Sequence, residues 1–276
     1  MRAKLALSLA LLPLAGLLAT TDLSGRSLPV QPPTTLEMKD MTWEQVQGVV
    51  AGGATTVIVP TGGIEQNGPH MVLAKHDYIV ADAARRIAGE LGRTVVAPVV
   101  SYVPEGDWDP GTGNLQFPGT IGISEAAFDG VLDGIARSLK NSGFKLICFI
   151  GDHGQSQSVQ KTVAERLTKA WEKAGVRVVH IDSYYDDKEQ MQRLLADGET
   201  AKTIGDHAGI IDTSELLAVH PAGVDLANDR KPGFTIPLFS RGTGASGEPS
   251  RSTPARGKWL LDLRIGAAVK QIKGLM

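Results

Sequence analysis

Cysteine is nearly missing: the chain has one, Cys148, in 276 residues. A single thiol excludes a disulfide framework, and its place in the apolar run 146–150 suits a buried core thiol rather than a nucleophile. Aromatic residues are few, at 5%. Neither sign of charge dominates, since 28 Lys and Arg stand against 30 Asp and Glu for a net −2. That balance offers no basic footprint for nucleic acid, which excludes it as an expected partner. No internal repeat of roughly 20 to 50 residues and no heptad run is present. Gly62-Gly63 make no phosphate loop, because no Lys-Ser/Thr pair follows them. What is present is ordinary globular material: 42% hydrophobic, 21% charged and 32 glycines, in a length that suits one large α/β domain or two small ones.

The first residues differ from the rest. Arg2 and Lys4 precede an apolar stretch at 5–18, broken only by Ser8, Pro13 and Gly16, and Ala19 offers a small residue for cleavage. This is the pattern of a secretory signal peptide over 1–19. The stretch is shorter than the roughly 20 residues of a spanning helix, so no stable membrane anchor is expected. The expected location is periplasmic or secreted. Residues 20–38, rich in Pro, Thr and Ser, read as an extended linker, and 39–276 as the folded domain.

From residue 40 onward, strand-like and helix-like stretches alternate. Short β-branched or apolar runs at 55–60, 94–100, 145–150 and 176–181 read as strands. Helical periodicity appears at 78–91, 124–142, 157–174, 188–196, 214–219 and 254–272, with Ser124 a candidate N-cap and Gly92, Gly143 and Gly175 as stops. Strand–helix alternation predicts parallel pairing: an α/β three-layer sandwich with a mostly parallel central sheet. In such sheets, sites gather outside the carboxyl ends of the strands.

That rule directs attention to two loops. The first runs Glu65-Gln66-Asn67-Gly68-Pro69-His70 and continues to Lys75-His76-Asp77. The second is Gly151-Asp152-His153-Gly154-Gln155. Together they bring Glu65, His70, His76, Asp77, Asp152 and His153 to one sheet edge. Two neutral imidazoles and a carboxylate suit Zn²⁺ or a similar ion with a position left for water, whose pKa the ion lowers toward about 7. No HExxH signature is present. Glu105, Asp107 and Trp108, in a long Pro/Gly-rich loop, are candidates to line the pocket. Arg241, Arg251 and Arg256 form a basic tail, a candidate anion cradle or packing surface. His180 and His220 read as structural or exposed.

Four segments carry a resemblance. Glu65-Gln66-Asn67-Gly68-Pro69-His70 resembles the EQHGPH box of the creatininase (creatinine amidohydrolase) family. Phe117-Pro118-Gly119-Thr120 resembles its HPGT segment, Gly151-Asp152-His153-Gly154 its NGHG segment, and His207-Ala208-Gly209 with Asp212-Thr213-Ser214 its HAGxxETS segment. They occur in the family's order over roughly residues 40–270.

The resemblance implies a creatininase-like α/β fold, a small-molecule substrate, a homo-oligomer of up to hexameric size, and hydrolysis of C–N bonds in small or cyclic amides with two Zn²⁺ or Mn²⁺ ions. It assigns Glu65 and His153 to one metal and places the family's bridging Asp at His76, with Asp77 one residue on as the other candidate. The chain departs from the pattern at Asn67, Ile210 and Asp212, where the family has His, Glu and Glu, and at Gln155, where creatininase itself has an acidic ligand. The second metal site therefore reads as dismantled, leaving Glu65, His76 and His153 as ligands of one ion per chain, expected to be Zn²⁺ with Mn²⁺ as the other choice.

Around that triad, His207 is the expected proton donor to a leaving nitrogen. Asp77 or Asp212 is the expected general base, and His70 a substrate-orienting or oxyanion-facing group. Asp152 is expected to orient His153 from behind, with Asn67 and Gln155 also in that outer layer. Two other readings remain: a catalytically silent exported binding protein on the same scaffold, and a lactone or peptide hydrolase. The altered ligands leave the substrate open, creatinine included.

Overall fold

The computed structural model describes residues 19–21, 27–29, 31–228 and 243–276. The expected signal peptide falls outside the described residues except for Ala19, and Arg241 falls outside them too. Across the end of the expected signal peptide and the stretch read as linker, β1 (Ala19–Thr21) pairs antiparallel with β2 (Ser27–Pro29). Its last residues run along the main sheet, where the Val96 amide donates to the Leu36 carbonyl at 2.8 Å.

Four parallel strands make that sheet, in the order β4 (Thr94–Val96), β3 (Thr56–Thr61), β5 (Leu146–Gly151), β6 (Arg177–His180). All six residues of β3 and of β5 are buried, as expected of strands covered on both faces. Their side chains alternate between two cores. Val57, Val59, Ile147 and Phe149 face α3 (Glu125–Asn141), α4 (Gln157–Trp171) and α1 (Trp43–Ala51). Ile58, Cys148 and Ile150 face α2 (Lys75–Leu91), α7 (Ile210–Val219) and α8 (Pro254–Lys273). The result is the expected three-layer α/β sandwich. Between these helices lie α5 (Lys188–Ala196) and α6 (Ala201–Ile204).

The differences from the expected boundaries have local causes. Helix α2 starts at Lys75 rather than 78, because its N-cap Ala74 offers no side-chain bond to mark the start. Helix α7 starts at Ile210 rather than 214 for the same reason, with Gly209 at its cap. The strand expected over 94–100 ends at Val96, ahead of Pro98; beyond it the Ala97 amide still donates to the Ile58 carbonyl at 2.8 Å, and Val100 bridges Thr61. Helix α1 went unassigned, although Thr42 and Gln45 close a capping box at its start. Ser124 caps α3 as expected, accepting from the Ala127 amide at 3.1 Å.

This topology places the site. β3 and β5 are neighbours, paired in register from Thr56–Leu146 to Thr61–Gly151. The chain leaves β3 toward α2 on one face and leaves β5 toward α4 on the other. The diverging loops open a crevice at the carboxyl edge, as at a topological switch point.

Candidate metal centre

Each candidate ligand is held by a different device. The loop after β3 carries Glu65, and Asn67 keeps that loop closed. The Asn67 amide donates to the backbone carbonyls of Glu65 (2.9 Å), Val72 (3.3 Å) and Leu73 (3.3 Å). The same loop lies so close to α2 that a Cβ on Gly62 would sit 1.8 Å from Asp77 Oδ1 and 3.0 Å from the Asp77 Cα; only glycine fits there. His76 lies in the first turn of α2. His153 follows β5, its carbonyl accepting from Ser156 Oγ (2.7 Å) and Gln157 Nε2 (2.8 Å).

These devices bring Glu65, His76 and His153 to one point, all three buried, with a ligand atom from each within 4.8 Å of the others. His76 Nε2 lies 2.6 Å from Glu65 Oε1, and His153 Nε2 lies 3.1 Å from Glu65 Oε2. The two imidazole rings meet edge to face at 5.2 Å. Behind His76, Nδ1 donates to Asp152 Oδ2 at 2.7 Å. A carboxylate on one ring nitrogen fixes the tautomer and points the other nitrogen at the cluster, the arrangement that backs metal-bound histidines. The residues therefore fit a divalent ion by donor chemistry and by orientation.

Lys75 adds charge at the same place. It is 1% exposed, and its ammonium lies 3.2 Å from Asp212 Oδ1 and 3.7 Å from Glu65 Oε1. Burial pushes the Glu65 carboxyl up, but His76, His153 and Lys75 outweigh it and hold the group well below the usual carboxylate range. Burial also opposes charge on His153, yet its contacts with Glu105 and Glu65 push it up to about 9 in the metal-free protein. Asp152 is held low against its own burial by Arg264, His76 and Lys75.

The remaining expected residues divide by position. His207, Asp212 and Gln155 line a cavity of about 320 Å³ together with Glu65, Lys75 and His76. The Gln66 amide donates to His207 Nε2 at 2.7 Å, and Asp212 Oδ2 accepts from the Ala208 amide at 2.8 Å. Ala208 has φ +51°, a left-handed conformation that this bond helps to hold beside His207. The Phe117–Thr120 segment acts through its last residue, with Thr120 Oγ1 accepting from the Gln66 amide at 3.0 Å.

Other expectations need correction. Asp152 contacts His76 rather than His153. Asp77 is not brought to the cavity: one step along α2 from His76, it turns about 100° away and accepts from the Gly63 amide at 3.1 Å. His70 is buried outside the cavity against Thr213 Oγ1, at 2.9 Å. Asn67 closes its loop and touches no ligand side chain. The basic tail does not stand open for an anion, since Arg251 and Arg256 both bind Glu199, each at 2.9 and 2.8 Å respectively.

Four groups escaped the sequence reading: Lys75, Asn114, Tyr184 and Arg264. Asn114 donates to Glu65 Oε2 and, at 3.0 Å, to Glu105 Oε2. Arg264, on α8, lies 2.7 Å from Asp152 Oδ1. The one usable signal was at Lys75, a lysine beside a candidate ligand. The others lie far along the chain from the residues they contact.

Comparison with known proteins matches residues 39–272 to the Creatininase family, described as creatinine amidohydrolase. A creatinine amidohydrolase of Pseudomonas putida is 28% identical over 192 residues, covering 68% of this chain and 73% of that protein. A mycofactocin precursor peptide peptidase of Mycolicibacterium smegmatis is 27% identical over 235 residues, covering 79% and 84%. Among solved structures, a mutant creatininase of Zn-Zn type superposes with a TM-score of 0.70 at 23% identity, covering 88% of this chain and 98% of that one.

Proposed function

The chain belongs to the creatininase family, and from that premise we propose that it is a hydrolase holding one divalent ion on Glu65, His76 and His153 and cleaving a C–N bond of a small amide. The observation that carries this reading is His76, held by Asp152 on Nδ1 with Nε2 turned to the cluster. When bound there, a divalent ion supplies Lewis-acid activation of water at neutral pH.

The chain's own residues supply the rest. Glu65 stays ionised in a buried setting, which keeps its oxygens available as ligands. Lys75, facing the cavity from α2, stabilises negative charge developing on the carbonyl oxygen. His207 lines the cavity with Nε2 accepting from Gln66 Nε2 and is placed to pass the proton released by the attacking water to the leaving nitrogen. Asp212, paired with Lys75 and facing the cavity, is the group available as a proton acceptor.

A second reading is a peptide amide as substrate. It is favoured by the 27% identity with a precursor peptide peptidase over most of both chains. Export from the cytoplasm is proposed on the N-terminal segment alone.

The test is metal content followed by a substrate panel. The purified protein should carry one divalent ion per chain, and a chelator should remove ion and activity together, with both restored by Zn²⁺ or Mn²⁺. Hydrolysis is then compared across small cyclic amides and short peptides. Two ions per chain would overturn the single-ion reading. Activity that survives complete metal removal would overturn the metal-dependent one.

A further inference from the structure

The three-ligand cluster leaves one buried charge unexplained. Glu105, from the loop after β4, is 0% exposed. Its Oε2 lies 3.0 Å from His153 Nε2, the same nitrogen that faces Glu65 Oε2 at 3.1 Å. One imidazole nitrogen carries at most one proton, so it satisfies only one of these carboxylates at a time. The Asn114 side-chain amide carries two protons and serves both, donating to Glu65 Oε2 and Glu105 Oε2. Glu105 Oε1 has no hydrogen-bond partner among the described residues. Two buried carboxylates thus converge on one imidazole nitrogen, with one Glu105 oxygen unpartnered among the described residues, an arrangement that a cation shared between them would relieve.

The spacing suits ligation of one ion by both residues as well as it suits a hydrogen bond. Donor atoms sharing one ion at about 2.0–2.2 Å sit roughly 3 Å or more apart, and Glu105 Oε2 stands at that distance from His153 Nε2. The backbone is built to hold Glu105 there. Gly106 takes φ +127°, and a Cβ on it would sit 2.3 Å from the Thr112 carbonyl oxygen. The Glu105 carbonyl accepts from the Asn114 amide at 3.0 Å, which fixes the two side chains relative to each other.

We propose that Glu105 is a fourth protein ligand of the ion held by Glu65, His76 and His153, giving a two-carboxylate, two-imidazole site in which the water of the proposed reaction would take a fifth position. The inference rests on the metal-site reading above and deepens it. Such a donor set is richer in oxygen than two histidines and one glutamate, and it brings two negative charges to meet the two of the ion.

The test needs no substrate. Zn²⁺ affinity is measured by competition with a chromogenic chelator for wild type, Glu105→Gln and Glu65→Gln, and thermal unfolding of each is followed with and without Zn²⁺. Glu105→Gln is expected to lower affinity by about a hundredfold or more, beyond the effect of removing an outer contact. Its metal-free form is expected to melt at or above the wild-type temperature, because a buried charge short of partners is gone. Its melting temperature should rise less on adding Zn²⁺. Wild-type affinity in Glu105→Gln, with Glu65→Gln impaired, would overturn the fourth ligand and leave the three-ligand site standing. A metal-free Glu105→Gln that melts lower than wild type, or fails to fold, would show a structural role and overturn it too. A wild-type protein that takes up no ion would overturn the metal-site reading itself.

Discussion

Two buried polar clusters lie side by side at the carboxyl edge of the sheet, and they are finished to different degrees. In the first, Arg264 reaches Asp152 at 2.7 Å and Glu215 at 2.8 Å and lies over the Tyr184 ring at 4.3 Å. Tyr184 donates to Asp152 at 3.1 Å, and Gln190 to Glu215 at 2.7 Å. Every carboxylate there has a cation and a neutral donor. In the second cluster, Glu65 and Glu105 compete for His153 Nε2, while Glu105 Oε1 and His153 Nδ1 find no hydrogen-bond partner among the described residues. A buried network that closes on itself serves structure, whereas one with unpartnered polar atoms is prepared for a ligand. Asp152 joins the two, with one oxygen on Arg264 and the other on His76.

The largest effect that separates them is on stability. Arg264→Leu leaves Asp152 and Glu215 buried without their cation, and is expected to cost about 3–5 kcal/mol, read as a lowered urea midpoint. Its contrast with the metal-free Glu105→Gln variant, expected to lose nothing, is the sharpest form of the comparison. A cost below about 1 kcal/mol, the scale of an exposed pair, would mean that the Arg264 cluster is not structural.

An intermediate effect falls on the shared residue. Asp152→Asn removes the carboxylate behind His76 and is expected to weaken Zn²⁺ binding about 10- to 100-fold. Competition titration checks this. Unchanged affinity would show that His76 is oriented by something other than Asp152.

The smallest effect is a slope with pH. Burial, with Asp152 and Asp212 adding to it against the pull of Arg264, pushes the Glu215 carboxyl from its ordinary 4.5 up to about 7. An acid whose folded value is raised stabilises the fold fully below the unfolded value, and that contribution is lost as pH rises through the folded one. Wild type should therefore lose stability relative to Glu215→Gln as pH climbs from 4.5 to about 7. The relative slope should be at most about 1.4 kcal/mol per pH unit. Urea unfolding across that range reads it, and parallel curves would place Glu215 in its ordinary state.

Much of the architecture was readable because its signals are local. The continuous apolar runs at β3 and β5 mark strands covered on both faces. Ser124 announces a helix by its own hydroxyl. The start of α2 was hidden because Ala74 provides no such mark, so His76 read as a loop residue when it stands in a helical turn.

By itself, the sequence determined the α/β class, the two loops at the carboxyl edge, the family box around Glu65, and Glu65, His76 and His153 as the residues to compare. These follow from residue type, periodicity and order along the chain. Tertiary structure alone decided that Asp152 backs His76, that Asp77 and His70 lie outside the cavity, that Lys75 and Asn114 belong to the centre, and that Arg264 holds Asp152 beside it. It also placed Glu105 against His153, 48 residues away along the chain. The direction of a side chain depends on the turn of the backbone beneath it, and its partner is whatever the packing of distant elements brings within about 3 Å.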